Sequence, residues 1–210
     1  SGNPSSPNSE IQNIHRNVLF ATANVPQRPT SYLDAPYPED LWDSLTRDCL
    51  EGMSGCDVLT IPHNANLSAG LMFEQLDKQG RPFSADYARK RARFEPIIEL
   101  IQHKGASECW SGSADPQCQF ETLPWSHLAG NRVANDGLSL PLGVPRENAF
   151  VRHAWKEGLA LEATLGENPF KFGVFGATDT HMGTPGMVAE STFPGHRGSS
   201  NPGEVWNLNM

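Results

Sequence analysis

The chain has 210 residues, a formal net charge of −8, 17 prolines and 19 glycines, which is length enough for one core and breakers enough to divide it into short elements joined by many loops. Its 16 lysines and arginines form no stripe, only residues 89–93 being locally basic, so nucleic acid is not the expected partner. No apolar run approaches the roughly 20 residues that span a bilayer, and no charged, apolar and small-residue succession opens the chain.

In chain order, residues 1–10 are polar with two prolines and are expected to be a disordered arm or an expression remnant, leaving 11–210 as one α/β domain. Residues 15–22 read as a short strand and 25–38 as a proline-punctuated loop. Pro38-Glu39-Asp40 opens a helix, with proline early and carboxylates at the positive end of its dipole. Leu41, Leu45 and Cys49, with Trp42 beside them, predict one buried face, and Gly52 and Gly55 end it. Residues 57–61 form a buried strand that runs into Pro62-His63-Asn64, and 68–75 predict a short helix. Ser84 caps a second helix over 85–95, which Pro96 stops before the strand 97–102. Residues 109–141 keep no period and are too long for a passive connection, which marks a functional insertion. The longest helix starts at Pro145, with Phe150, Val151, Ala154, Trp155, Leu159 and Leu161 on one apolar stripe and Gly166 as its stop. Residues 170–175 predict the last strand, followed by Asp179, His181 and the turn Gly183-Thr184-Pro185-Gly186. Helices alternating with short strands indicate α/β architecture on a parallel sheet.

Four cysteines, Cys49, Cys56, Cys109 and Cys118, contain no Cys-x-x-Cys pair, which argues against a structural zinc site. Cys109 and Cys118 bracket a Gly/Ser/Asp/Pro loop; a disulfide there would contribute about 2 to 3 kcal/mol in an oxidising compartment, and two free thiols are the equal alternative. The pair thus leaves location open between periplasmic or secreted and cytoplasmic.

Chemistry in a parallel sheet sits at the carboxyl ends of its strands. His63, the Lys104–Glu108 loop, and Asp179 with His181 all fall at such ends. Residues i and i+2 of a strand point the same way, so Asp179 and His181 would leave the strand tip together, and a carboxylate beside an imidazole is what a divalent cation takes. The expected metal ligands are therefore His63, Asp179 and His181. Glu99, inside a strand, must either pair within the core or face outward, because an unpaired buried carboxylate is costly. Glu99 and Glu108 are the candidates for general-base duty, and Lys104 and Asn64 for substrate contact. His15, His127, His153 and His196 lack partners at ligand spacing and read as structural or surface residues.

The segments Ile61-Pro62-His63-Asn64-Ala65-Asn66-Leu67-Ser68 and Lys104-Gly105-Ala106-Ser107-Glu108 resemble a domain-of-unknown-function family, number 3604. So do the blocks at 158–163 and 168–173 and the run Thr178-Asp179-Thr180-His181; together the resemblance covers residues 40–203. That bacterial family looks like a branch of the PHP (polymerase and histidinol phosphatase) superfamily of metal-dependent phosphoesterases. The resemblance implies a distorted (β/α)7 barrel with a metal cluster at its carboxyl end, His63 in the late-strand histidine motif and Asp179 with His181 in the closing Asp-x-His motif. Superfamily members open with His-x-His, which this chain lacks, so the expectation is a truncated piece with a partial barrel, a long irregular insertion and part of the ligand set.

Two functions follow as expectations. The first is a metal-dependent hydrolase, a phosphoesterase using water activated by zinc, manganese or iron on a small-molecule phosphate ester. The second is a catalytically silent α/β scaffold whose long loop binds a partner. An unpaired sheet edge would further predict a homo-oligomer.

Overall fold

The computed structural model of the protein describes residues 14–102, 105–110, 112–119, 132–133, 139–140, 146–177 and 179. Strand β1 (Arg16–Phe20) pairs antiparallel with β2 (Val58–Pro62), Arg16 opposite Pro62 and Phe20 opposite Val58. Between them lie the helix α1 (Pro38–Leu45) and a π-helical continuation, Thr46–Leu50. Pro38 sits at the start of α1 with Glu39 and Asp40 in its first turn, as the sequence predicts.

Helix α2 (Ala85–Phe94) begins where expected, the Ser84 hydroxyl accepting from Tyr87 N at 3.1 Å. It leads directly into β3 (Ile97–Gln102), which packs beside β2. Strand β3 turns back into the two-residue β4 (Gly105–Ala106), and two further short strands, β5 (Arg132–Val133) and β6 (Ser139–Leu140), pair antiparallel. Helix α3 (Val151–Leu165) returns the chain to β7 (Gly173–Gly176), which lies parallel to β3 with Ile97 opposite Gly173. The described architecture is mixed α/β, with three α-helices and small sheets.

Several expectations change. Of the described ladders only β3 with β7 is parallel, so the sheet is mixed rather than parallel. The helix expected over 68–75 is instead two 3-10 turns, Ala65–Leu67 and Leu71–Phe73, because Ala69 and Gly70 take left-handed φ values of 57° and 89°. Pro145 lies outside the described residues; α3 starts at Val151, after the turn Glu147–Ala149. The last strand is shorter than 170–175 because Asn168 Oδ1 accepts from Phe170 N at 2.9 Å and turns the chain. On α3, Trp155 and Leu159 are exposed, and the buried positions are Val151, Ala154 and Gly158.

Two cores hold these elements. Trp42, Leu45, Cys49, Cys56, Val58 and Phe94 form one, with the Trp42 and Phe94 rings nearly parallel. Phe73, Met72, Ile98, Val151, Ala154 and Phe170 anchor the other, Phe73 meeting Phe170 edge-on at 5.7 Å. All four cysteines are paired, Cys109 with Cys118 and, unforeseen from the sequence, Cys49 with Cys56.

Candidate metal and substrate site

The rim begins with strand pairing. Because Arg16 faces Pro62, the next pair outward is His15 and His63, and His63 N donates to His15 O at 3.3 Å. Their rings stand 5.7 Å apart between centroids. His63 is buried, and Asn64 after it is wholly buried in a left-handed turn, φ 56°. Asn64 Nδ2 lies 3.1 Å from His63 Nδ1. Two residues on, Asn66 binds Ser107 twice: Ser107 Oγ accepts from Asn66 N at 3.2 Å and donates to Asn66 Oδ1 at 2.8 Å. Asn66 follows β2 and Ser107 N donates to Leu100 O at 2.7 Å, so this contact ties the segment after β2 to the side of β3.

The third strand joins them through its parallel ladder with β3. Ala177 N donates to Ile101 O at 3.1 Å, so the chain leaves β7 beside the end of β3, and Asp179 follows in a left-handed conformation, φ 52°. Outside glycine that region is best tolerated by Asn and Asp, the residue types found at 64 and 179. Local backbone demand therefore already accounts for part of why these residues stand at the strand ends.

Glu99 is buried on β3 and accepts from Gln102 Nε2 at 2.8 Å, which settles its side: it faces inward and is hydrogen-bonded. Glu108 lies elsewhere in character. Its Oε1 takes Arg152 Nε at 2.9 Å and Nη2 at 2.6 Å, while Arg152 Nη1 reaches Asp115 Oδ2 at 2.9 Å. The Glu108 hydrogen bond is the main reason the Arg152 guanidinium is held above its ordinary value. The same segment receives α3: Val151 N donates to Ser107 O and Arg152 N to Glu108 O, so main-chain carbonyls satisfy the first amides of the helix.

Of the sequence-derived candidates, His63 and Asn64 follow β2, Glu99 is buried within β3, Asp179 follows β7, and Glu108 is tied into an ion pair. Lys104 and His181 lie outside the described residues, as do His103, His127 and His196. Among the described residues no three His, Cys, Asp or Glu side chains form a group able to hold an ion. His15, which the sequence reads as a structural or surface histidine, stands beside His63. Its signal was the strand pairing: residues 15 and 63 are one step beyond opposite ends of two strands, a relation visible only once their register is known.

No characterised protein and no solved structure matches the chain. A family profile described as protein of unknown function (DUF3604) matches residues 5–208, and the chain belongs to that family.

Proposed function

We propose that this protein is a metal-dependent hydrolase with phosphate esters as its substrate class, built on a PHP-like barrel, with His63, Asp179 and His181 as metal ligands. The observation that carries the reading is the meeting of the His15 and His63 rings beyond the paired ends of β1 and β2. A ring nitrogen sits about 2.0–2.1 Å from a bound zinc ion, so two rings sharing one ion in tetrahedral angle have centroids roughly 5 Å apart. The observed 5.7 Å is close to that spacing, and His15 joins the proposed donor set on this ground.

Mixed imidazole and carboxylate ligation suits zinc, manganese or iron. Such an ion, when bound, supplies an activated water and charge stabilisation for a phosphoryl oxygen. The chain's own part is orientation: Asn64 holds the His63 ring, and Gln102 fixes the Glu99 carboxylate, which we assign as the base nearest the rim. Lys104 is assigned to the ester's anionic group. Two disulfides support a periplasmic or secreted location, where such bonds persist.

The test is reconstitution. Protein stripped with chelator and reloaded separately with zinc, manganese and iron is assayed on phosphate mono- and diesters, with elemental analysis alongside. The expected result is metal retained by wild type, lost in His63→Ala, and hydrolysis that follows metal content. Wild type that retains none of the three metals and hydrolyses neither ester class returns the chain to the alternative, a catalytically silent α/β scaffold. The engagement of Glu108 by Arg152 favours that alternative.

A further inference from the structure

The two disulfides sit in opposite surroundings. Cys49 has no exposed surface and Cys56 is 8% exposed, both within the core built on Trp42, Leu45 and Phe94. Cys109 is only half-buried, although its partner Cys118 is buried. Thiol–disulfide exchange requires a thiolate to reach a sulfur atom, so the core shields the first bond while the second is open to attack at Cys109.

The segment that this second bond closes is docked on the first turn of α3. Arg152 donates to Glu108, just before Cys109, through Nε and Nη2, and to Asp115, three residues before Cys118, through Nη1 at 2.9 Å. The stem is fastened by main chain as well, since Ser107 O and Glu108 O accept from the amides of Val151 and Arg152. The far side of the segment is held more lightly. Its ion pair joins side chains 29% and 44% exposed, and so exposed a pair is weak unless something else keeps its partners together. Inside the segment, Ser113 N donates to Trp110 O, Gln117 N to Asp115 Oδ1 and Cys118 N to Asp115 O. Such short-range surface bonds last while the closed bond limits the freedom of the chain. We propose that Cys109–Cys118 is a thiol-responsive clasp. Closed, it keeps Asp115 on Arg152 at the head of α3. A thiolate attacking Cys109 Sγ forms a mixed disulfide and releases Cys118 as thiolate, which takes a proton. A second thiol resolves the mixed disulfide, so two thiols are oxidised to one disulfide, both cysteines are reduced, and Asp115 leaves Arg152. The stem at 107–108 stays on α3 and Cys49–Cys56 stays bonded. None of this rests on the reading of His63 as a metal ligand.

The experiment titrates the whole chain with dithiothreitol at neutral pH without denaturant, then alkylates the thiols for mass spectrometry and measures amide hydrogen exchange. Cys109 and Cys118 are expected to be alkylated at reductant concentrations that leave Cys49 and Cys56 bonded. At that point the amides of Ser113, Gln117 and Cys118 are expected to lose protection, and those of Val151 and Arg152 to keep it. The Cys109→Ser, Cys118→Ser double variant is expected to show the same exchange pattern with no reductant. Asp115→Asn tests the coupling: if the bond supports the ion pair, the pair supports the bond in equal measure, and the dithiothreitol midpoint is expected to fall about 1.5- to 5-fold. Reduction of both disulfides together, or of Cys49–Cys56 first, overturns the proposal. So does protection at 113–118 that survives both reduction and the double variant, and an Asp115→Asn midpoint equal to that of wild type overturns the link between bond and ion pair.

Discussion

Glu95, at the end of α2, has no exposed side-chain surface and stands between two guanidinium groups. Arg16 Nε donates to its Oε1 and Arg91 Nε to its Oε2, the latter at 3.0 Å. Arg91 also donates to Met72 O at 2.6 Å and lies 4.7 Å from the Phe170 ring centroid. Two cations share one anion here, and Arg16 Nη2 is buried without a partner. Removing the carboxylate leaves two buried charges facing each other, so Glu95→Ala is expected to lose about 3–5 kcal/mol, read from urea unfolding. A surface pair behaves differently. Arg93 Nη2 donates to Asp57 Oδ1 at 2.6 Å and the Val58 amide adds a second bond, which hold the Asp57 carboxyl below its ordinary 3.8. The depressed value means that Asp57 stabilises the fold above pH 3.8 and that this contribution is lost as pH falls through the folded-state value. Melting temperatures of wild type and Asp57→Asn should differ at neutral pH and converge in that acid range; a gap that persists there would show that the charge is not its source.

At the scale of elements, α3 shows two glycines with opposite reasons. Gly166 ends the helix at φ 74° with open space around it, so alanine there meets only backbone strain, about 1 kcal/mol. Gly158 is buried mid-helix, where alanine would ordinarily gain about 1 kcal/mol of helix propensity. A Cβ there would overlap Asn168 Oδ1, the atom that holds Phe170 N, and would sit 3.1 Å from Phe170 Cβ. Packing outweighs propensity, and Gly158→Ala is expected to lose about 1–3 kcal/mol by chemical denaturation; a stabilised variant would show that the Asn168 turn yields freely. The stop at Gly166 and the cap at Ser84 are legible in sequence because each is set by one residue and its immediate neighbours. The face of α3 is not: Trp155 and Leu159 fit the apolar stripe but are exposed, since which face is buried depends on where β3 and the Asn168–Phe170 turn lie.

Across the whole molecule, the Cys49–Cys56 bond ties the π-helical end of α1 to the approach of β2 inside the Trp42 core. On the chain-entropy account, closing so short a loop contributes about 2.5 kcal/mol. The Cys49→Ser, Cys56→Ser double variant is expected to unfold at correspondingly lower denaturant; an unchanged midpoint would show that the packed thiol positions suffice without the bond. The sequence leaves Cys109 and Cys118 open between a disulfide and two free thiols and gives no sign of the Cys49–Cys56 pair. Cys49 read as one more apolar position on a helix, because a helical period cannot say that the chain folds back to bring Cys56 within 5.3 Å between Cα atoms.

The sequence by itself determined where most elements start and stop, that the described fold mixes helices with short strands, and that His63 and Asp179 follow strands, because capping, proline stops and apolar periods act over a few residues. Tertiary structure alone decided that β1 and β2 are antiparallel, that His15 faces His63 and that Asn64 is buried against its ring. It also decided that Glu99 turns inward to Gln102 while Glu108 is held by Arg152. Those relations depend on register and on contacts between distant segments, and a one-residue shift in register would have separated the two histidines.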